Sequence, residues 1–121
     1  MNVAILGASD DPEKYSYKAV HLLEEKGHTA FPVNPKLEQI GGRKVYASLK
    51  DLPEPVDTIS LYVSPKISMK LADDLVASKP RRVIFNPGAE NPELEEKVSA
   101  AGIQALEACT LVLLRTNQFD R

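Results

Sequence analysis

Gly7, Ala8 and Ser9 are the residues of this chain whose types and spacing point most directly to chemistry. They follow the apolar run Asn2-Val3-Ala4-Ile5-Leu6 and precede Asp10-Asp11-Pro12 and a helix-patterned stretch from about Ser16 to Lys26. An apolar run of this kind reads as a strand buried on both faces. The small residues after it predict free backbone N–H groups at the positive end of the next helix, and the chemistry available there is anion binding. No nucleophile, paired base or metal cluster accompanies the turn. His21 falls on the polar face of the first helix and His28 follows its terminal glycine, so both are expected at the surface and outside any triad. The single cysteine, Cys109, excludes an internal disulfide and reads as a small buried hydrophobe. Two histidines and one cysteine without ligand spacing argue against zinc.

Three phosphate-loop patterns compete at this turn. The loop of nucleotide triphosphatases requires a glycine followed by lysine and Ser/Thr, whereas Pro12, Glu13 and Lys14 stand at those positions. The dinucleotide fingerprint requires three spaced glycines and an acidic residue after the second strand. Here Gly7 stands alone and the second strand ends Val33-Asn34-Pro35-Lys36. With a lysine in place of an acidic ribose clamp, the ribose end of the ligand is expected to carry a phosphate, which leaves NADP or coenzyme A.

The elements that position these residues alternate as strand and amphipathic helix, the pattern of a parallel α/β sheet. Five core strands are expected at about 2–7, 29–34, 57–63, 82–86 and 103–108. In the first helix Val20, Leu23 and Gly27 share one side, opposite Lys18, His21 and Glu25, and Gly27 stops it. Pro32 places the second strand at an end or irregularity of the sheet. Ser64 followed by Pro65 reads as an N-cap and first helical residue, with Ile67, Leu71 and Leu75 as the stripe behind them. Asn91-Pro92-Glu93 repeats that grammar before Leu94, Val98 and Ala101, closed by Gly102. The carboxylates of Glu90, Glu93, Glu95 and Glu96 suit the positive end of that helix. Residues 35–56 interrupt the alternation and predict a small extra strand at Val45-Tyr46-Ala47 and a turn. Leu111-Val112-Leu113-Leu114 fits either a last strand or a packed helix, and if exposed would form a patch suited to a homodimer or protein contact.

At 121 residues the chain, 1–121, is expected to form one domain, with no room for a separate substrate domain. It is 43% apolar and 26% charged, with a net charge of −2 and no basic face for a nucleic acid. No apolar stretch approaches the roughly 20 residues that span a bilayer. A cytoplasmic protein without membrane or nucleic-acid partners is expected.

Several of these segments together resemble the small bacterial and archaeal CoA-binding proteins. The resemblance runs through Val3 to Ser9, Pro12 with Lys14, Ser16-Tyr17, Val33-Asn34-Pro35, Gly41 through Tyr46, Leu52-Pro53-Glu54-Pro55-Val56-Asp57 and Ala100-Ala101-Gly102. It extends to the N-terminal CoA-binding part of the succinyl-CoA synthetase alpha subunit, whose phosphorylated histidine lies in a second domain. It implies a Rossmann-like three-layer fold with CoA or an acyl-CoA across the carboxyl ends of the strands. Gly7, Ala8 and Ser9 would meet the pyrophosphate, with Lys14 nearby. Asn34, Pro35 and Lys36 would surround the adenosine and its 3′-phosphate, and Val63, Ser64 and Pro65 would line the other side. The turn Phe85-Asn86-Pro87-Gly88-Ala89-Glu90 departs from the aromatic and glutamine-rich turn of that group. The expected function is CoA or acyl-CoA binding without catalysis, in a sensing, carrier or regulatory role. The alternatives are an NADP-linked reductase fragment or a partner-dependent acyl-CoA ligase subunit.

Overall fold

The computed structural model describes residues 1–120. Its core is a parallel sheet of five strands, β1 (Asn2–Leu6), β2 (Thr29–Val33), β5 (Thr58–Leu61), β6 (Arg82–Phe85) and β7 (Gln104–Glu107), in the spatial order β2-β1-β5-β6-β7. All four pairings are parallel, with Leu6 opposite both Val33 and Leu61. A two-stranded antiparallel hairpin, β3 (Gln39–Ile40) and β4 (Arg43–Lys44), lies after β2. The helices are α1 (Tyr15–Glu25), α2 (Pro65–Lys70), α3 (Ala72–Ala77), α4 (Pro92–Ala100) and α5 (Thr110–Arg115).

Period-two alternation along the strands divides the apolar side chains between two layers. Val3 and Ile5 pack with Val20 and Leu23 of α1 and with Leu114 and Phe119 around α5. Ala4 and Leu6 pack with Leu75 of α3 and with Leu94 and Val98 of α4. This is the Rossmann-like three-layer arrangement, and it accounts for the long apolar runs, since each central strand is covered on both sides.

Pro32 sits in β2 at the edge of the sheet. Its carbonyl accepts from Tyr46 N–H on the outer side, so its missing donor faces a flank where only the Tyr46–Val33 bridge is made. That bridge and the hairpin replace the strand expected over Val45-Tyr46-Ala47. α1 starts at Tyr15 and ends where Gly27, at φ +90°, lets the N–H groups of Gly27 and His28 turn back to Glu24 and Leu23.

Other expectations are corrected. The helix after Ser64 breaks at Leu71 into two short helices, so Leu75 enters the core while Ile67 is 48% exposed. Ser64 makes no capping bond through its side chain, whereas Asn91 caps α4 by accepting from Leu94 N–H at 3.2 Å. The apolar tail is a helix: Leu111 and Leu114 are buried and Val112 points outward. His28 is not a surface residue. Its side chain is 7% exposed, lies 3.0 Å from Asp120 and 5.1 Å from the Phe119 ring, and burial lowers its pKa. His21 is partly buried against the Tyr17 ring and within 3.4 Å of Arg43. Cys109 is the half-buried N-cap of α5.

Candidate functional site

The chain leaves β1 toward β2 on one side and later returns to β5 on the other. In a parallel sheet this reversal opens a crevice at the carboxyl ends of the two adjacent strands. A cavity of about 350 Å³ occupies that place, lined by Leu6, Gly7, Val33, Asn34, Pro35, Lys36, Ala47, Ser48, Leu49, Val63, Ile67, Leu71 and Asp74. Its walls are mostly apolar, with polar groups concentrated near Asn34 and Lys36.

Gly7 is required here by two separate conditions. Its φ is +90°, and a Cβ built on it would stand 2.7 Å from Val63 Cγ1 and 3.2 Å from the Tyr62 carbonyl carbon. The glycine therefore lets the β1 turn lie against the end of β5. Asn34 closes the other side: its side-chain amide donates to Ala8 O at 2.8 Å, and its Oδ1 accepts from Lys36 N–H at 2.8 Å. One residue thus ties the β1 turn to the β2 turn and sets the backbone from which Lys36 extends.

The donor inventory at the first turn differs from expectation. Gly7 and Ala8 N–H groups are not free, because both donate to the Val33 carbonyl, at 3.0 and 3.2 Å. Ala8 is buried. Ser9 Oγ accepts from Asp11 N–H, and Asp11 in turn accepts from Glu13 N–H. Between Gly7 and Tyr17, the N–H groups left without a partner are those of Ser9 and Asp10 and of the first turn of α1, whose N-cap Lys14 supplies no side-chain bond. The structure therefore brings Gly7, Asn34, Pro35, Lys36 and Val63 around one cavity. Ala8, Ser9 and Lys14 lie on the α1 side of the turn, and Ser64 and Pro65 are exposed at the start of α2 outside the lining.

Ala47, Ser48, Leu49, Ile67, Leu71 and Asp74 line the cavity without having been read as site residues in the sequence. Ile67, Leu71 and Asp74 follow i, i+4, i+7 spacing on the segment after β5, a signal that the Ile67-Leu71-Leu75 stripe concealed. Ala47 to Leu49 are brought in by the hairpin, which no local pattern foretells.

Behind the crevice, Ser60 and Thr110 hydroxyls lie 2.8 Å apart, and Asn86 donates to Ser60 Oγ and Leu61 O while accepting from Thr110 N–H at 2.8 Å. Asn86 thus spends its amide on joining β5, β6 and α5. The Tyr62 hydroxyl is buried beside this cluster, and burial pushes its pKa up to about 12. No cluster of three or more metal-ligating side chains occurs among the described residues, and none of their helices is long and apolar enough to cross a membrane.

The family model for the CoA binding domain matches residues 1–115. The chain belongs to this CoA-binding domain family. It is 39% identical over 69 residues to the alpha subunit of ADP-forming acetate–CoA ligase II of Pyrococcus furiosus, covering 56% of this chain and 15% of that protein. It is 31% identical over 102 residues to the ADP-forming acetate–CoA ligase of Methanocaldococcus jannaschii, covering 80% of this chain and 14% of that enzyme. The chain thus spans about one seventh of the length of these ligases. A crystal structure of an uncharacterized protein matches it with a TM-score of 0.92 and 38% identity, over 98% of this chain and 97% of the other.

Proposed function

We propose that this CoA-binding domain holds CoA or an acyl-CoA in the crevice between β1 and β5 and performs no reaction on it alone, serving as a cytoplasmic sensor, carrier or regulator. The observation that carries this reading is the arrangement of the crevice: an apolar cavity at the sheet's topological reversal, with Lys36 on one flank and the uncapped start of α1 beyond the Gly7 turn on the other. In this assignment the adenosine lies in the cavity and Lys36 contacts the 3′-phosphate. The pyrophosphate takes the N–H groups of Ser9, Asp10 and the first turn of α1, near Lys14, with Gly7 and Ala8 as its packed floor. Asn34 and Pro35 shape one wall and Val63 the other, with Ser64 and Pro65 exposed beyond it at the start of α2.

Native mass spectrometry of freshly purified protein tests the ligand. Retention or uptake of CoA or an acyl-CoA is expected, and an adduct of NADP without CoA binding would overturn the assignment. The second reading, a subunit of a partner-dependent acyl-CoA ligase, is favoured by the similarity to the alpha subunit from P. furiosus. Acyl-CoA synthesis that appears only on adding a second polypeptide would select it.

A further inference from the structure

Asp74 is the one carboxylate lining the crevice among the described residues. It sits at i+3 from Leu71 and i+7 from Ile67, on a wall otherwise made by Leu6, Val33, Leu49 and Val63. Its side chain is 26% exposed, and its only charged partner among the described residues is Lys50, whose Nζ lies 3.6 Å from Oδ1 while the lysine itself is largely in solvent. Oδ2 has no hydrogen-bond partner among the described residues. A carboxylate on an apolar wall with one loosely engaged oxygen is an acceptor available to a ligand.

Its position along the crevice gives the chemistry. α3 carries the chain from the carboxyl edge of the sheet back toward the start of β6, so Asp74 lies at the end away from Gly7, Asn34 and Lys36. Leu49 and Asp74 also border a neighbouring cavity of about 330 Å³ with Lys50, Ala77 and Ser78, which marks them as the far end of the crevice. The complementary ligand has an anionic head at Lys36, a flat apolar body and a hydrogen-bond donor at its tip. We infer that Asp74 accepts a hydrogen bond from the exocyclic amine of the bound purine, making the crevice selective for an aminopurine nucleotide. This inference rests on the nucleotide-binding reading above and adds the residue that sets base specificity.

Isothermal titration with adenosine 3′,5′-bisphosphate and with the purine riboside 3′,5′-bisphosphate, identical except for the missing 6-amino group, separates the two levels. A bond to a charged acceptor predicts a preference of about tenfold or more for the adenosine compound in the unaltered protein. Asp74→Leu should erase the preference while keeping affinity for the desamino compound. Asp74→Asn, which keeps the side-chain volume, should reduce it, and thermal melts report whether each variant is folded. Equal affinities in the unaltered protein, a preference that survives in folded Asp74→Leu, or one undiminished in folded Asp74→Asn, overturn the role of Asp74 and leave nucleotide binding standing. Failure of both compounds and of CoA to bind overturns the reading beneath it.

Discussion

Replacing Gly7 by alanine tests the construction of the crevice through a magnitude that the coordinates supply. The new Cβ would have to accept φ near +90° and would stand 2.7 Å from Val63 Cγ1. The backbone contribution is about 1–2 kcal/mol for a residue with a side chain, and overpacking adds about 1–3 kcal/mol. The sum, about 2–5 kcal/mol, is a large share of the roughly 5–15 kcal/mol of a typical domain. It corresponds to a melting temperature lower by roughly 8–20 °C. The two contributions separate in a double-mutant cycle. Val63→Ala removes the opposing methyl but leaves the backbone conformation unchanged, so the double variant should recover about 1–3 kcal/mol of favourable coupling. Urea unfolding of the four proteins measures it. A neutral Gly7→Ala, or a cycle without coupling, would refute the account of Gly7 as the residue that seats the β1 turn on β5. A bulkier Gly7→Val should chiefly unfold the domain.

Lys36→Ala should narrow the affinity difference between CoA and dephospho-CoA by about tenfold or more, read by calorimetry, and equal binding of the two ligands by the unaltered protein would remove the 3′-phosphate assignment. Asn91→Ala should cost about 1–3 kcal/mol in urea unfolding, since its side chain caps α4 and its amide also donates to Pro65 O and Ser68 Oγ of α2; Asn91→Asp, which keeps the acceptor and loses those donors, should not restore full stability. Burial favours the neutral Asp57 carboxyl, but hydrogen bonds from Arg81 and Thr58 and the charge of Arg82 outweigh it and hold its pKa below the ordinary 3.8. Its stabilising contribution is therefore complete above the ordinary value and is lost as pH falls through the folded one, so the stability gap between the unaltered protein and Asp57→Asn should be present at neutral pH and close in acid. Tyr62 should ionise near pH 12 in an ultraviolet titration, and Tyr62→Phe should remove that step.

The five parallel strands and the capped α4 were legible because their signals are local: long apolar runs for strands covered on both faces, and Asn-Pro-Glu for a helix start. Pro32 likewise announced an edge strand. The crevice was legible only along its first-visited walls, Gly7, Asn34 to Lys36 and Val63, each within three residues of a strand's carboxyl end. Ile67, Leu71 and Asp74 were hidden because the break at Leu71 parts the crevice-facing Ile67 from the core-facing Leu75, and one stripe was read through both; Asp74, beside Leu75 in the second helix, still reaches the crevice. His28 was misplaced for a similar reason. It follows the glycine that ends α1, a position usually open to solvent, and its burial depends on Phe119 and Asp120, which arrive from the far end of the sequence.

The distribution of backbone donors decides where an anion can sit. The Val33 carbonyl takes two N–H groups at once, and this shared acceptor welds the β1 turn to the end of β2. A phosphate at Gly7 and Ala8 would have to break both bonds and leave Val33 O without those donors, so binding there would work against the packing that forms the cavity. The donors without partners begin at Ser9 and continue into the start of α1, displaced from Gly7 toward the helix axis, where the partial charge of the helix end adds to them. Gly7 then acts through close packing and Asn34 through tethering. A phosphate seated on the first turn of α1 and a base enclosed by Val33, Leu49 and Leu71 lie on opposite sides of that weld, so a ligand occupying both places must cross the β1 turn, as an extended nucleotide diphosphate can.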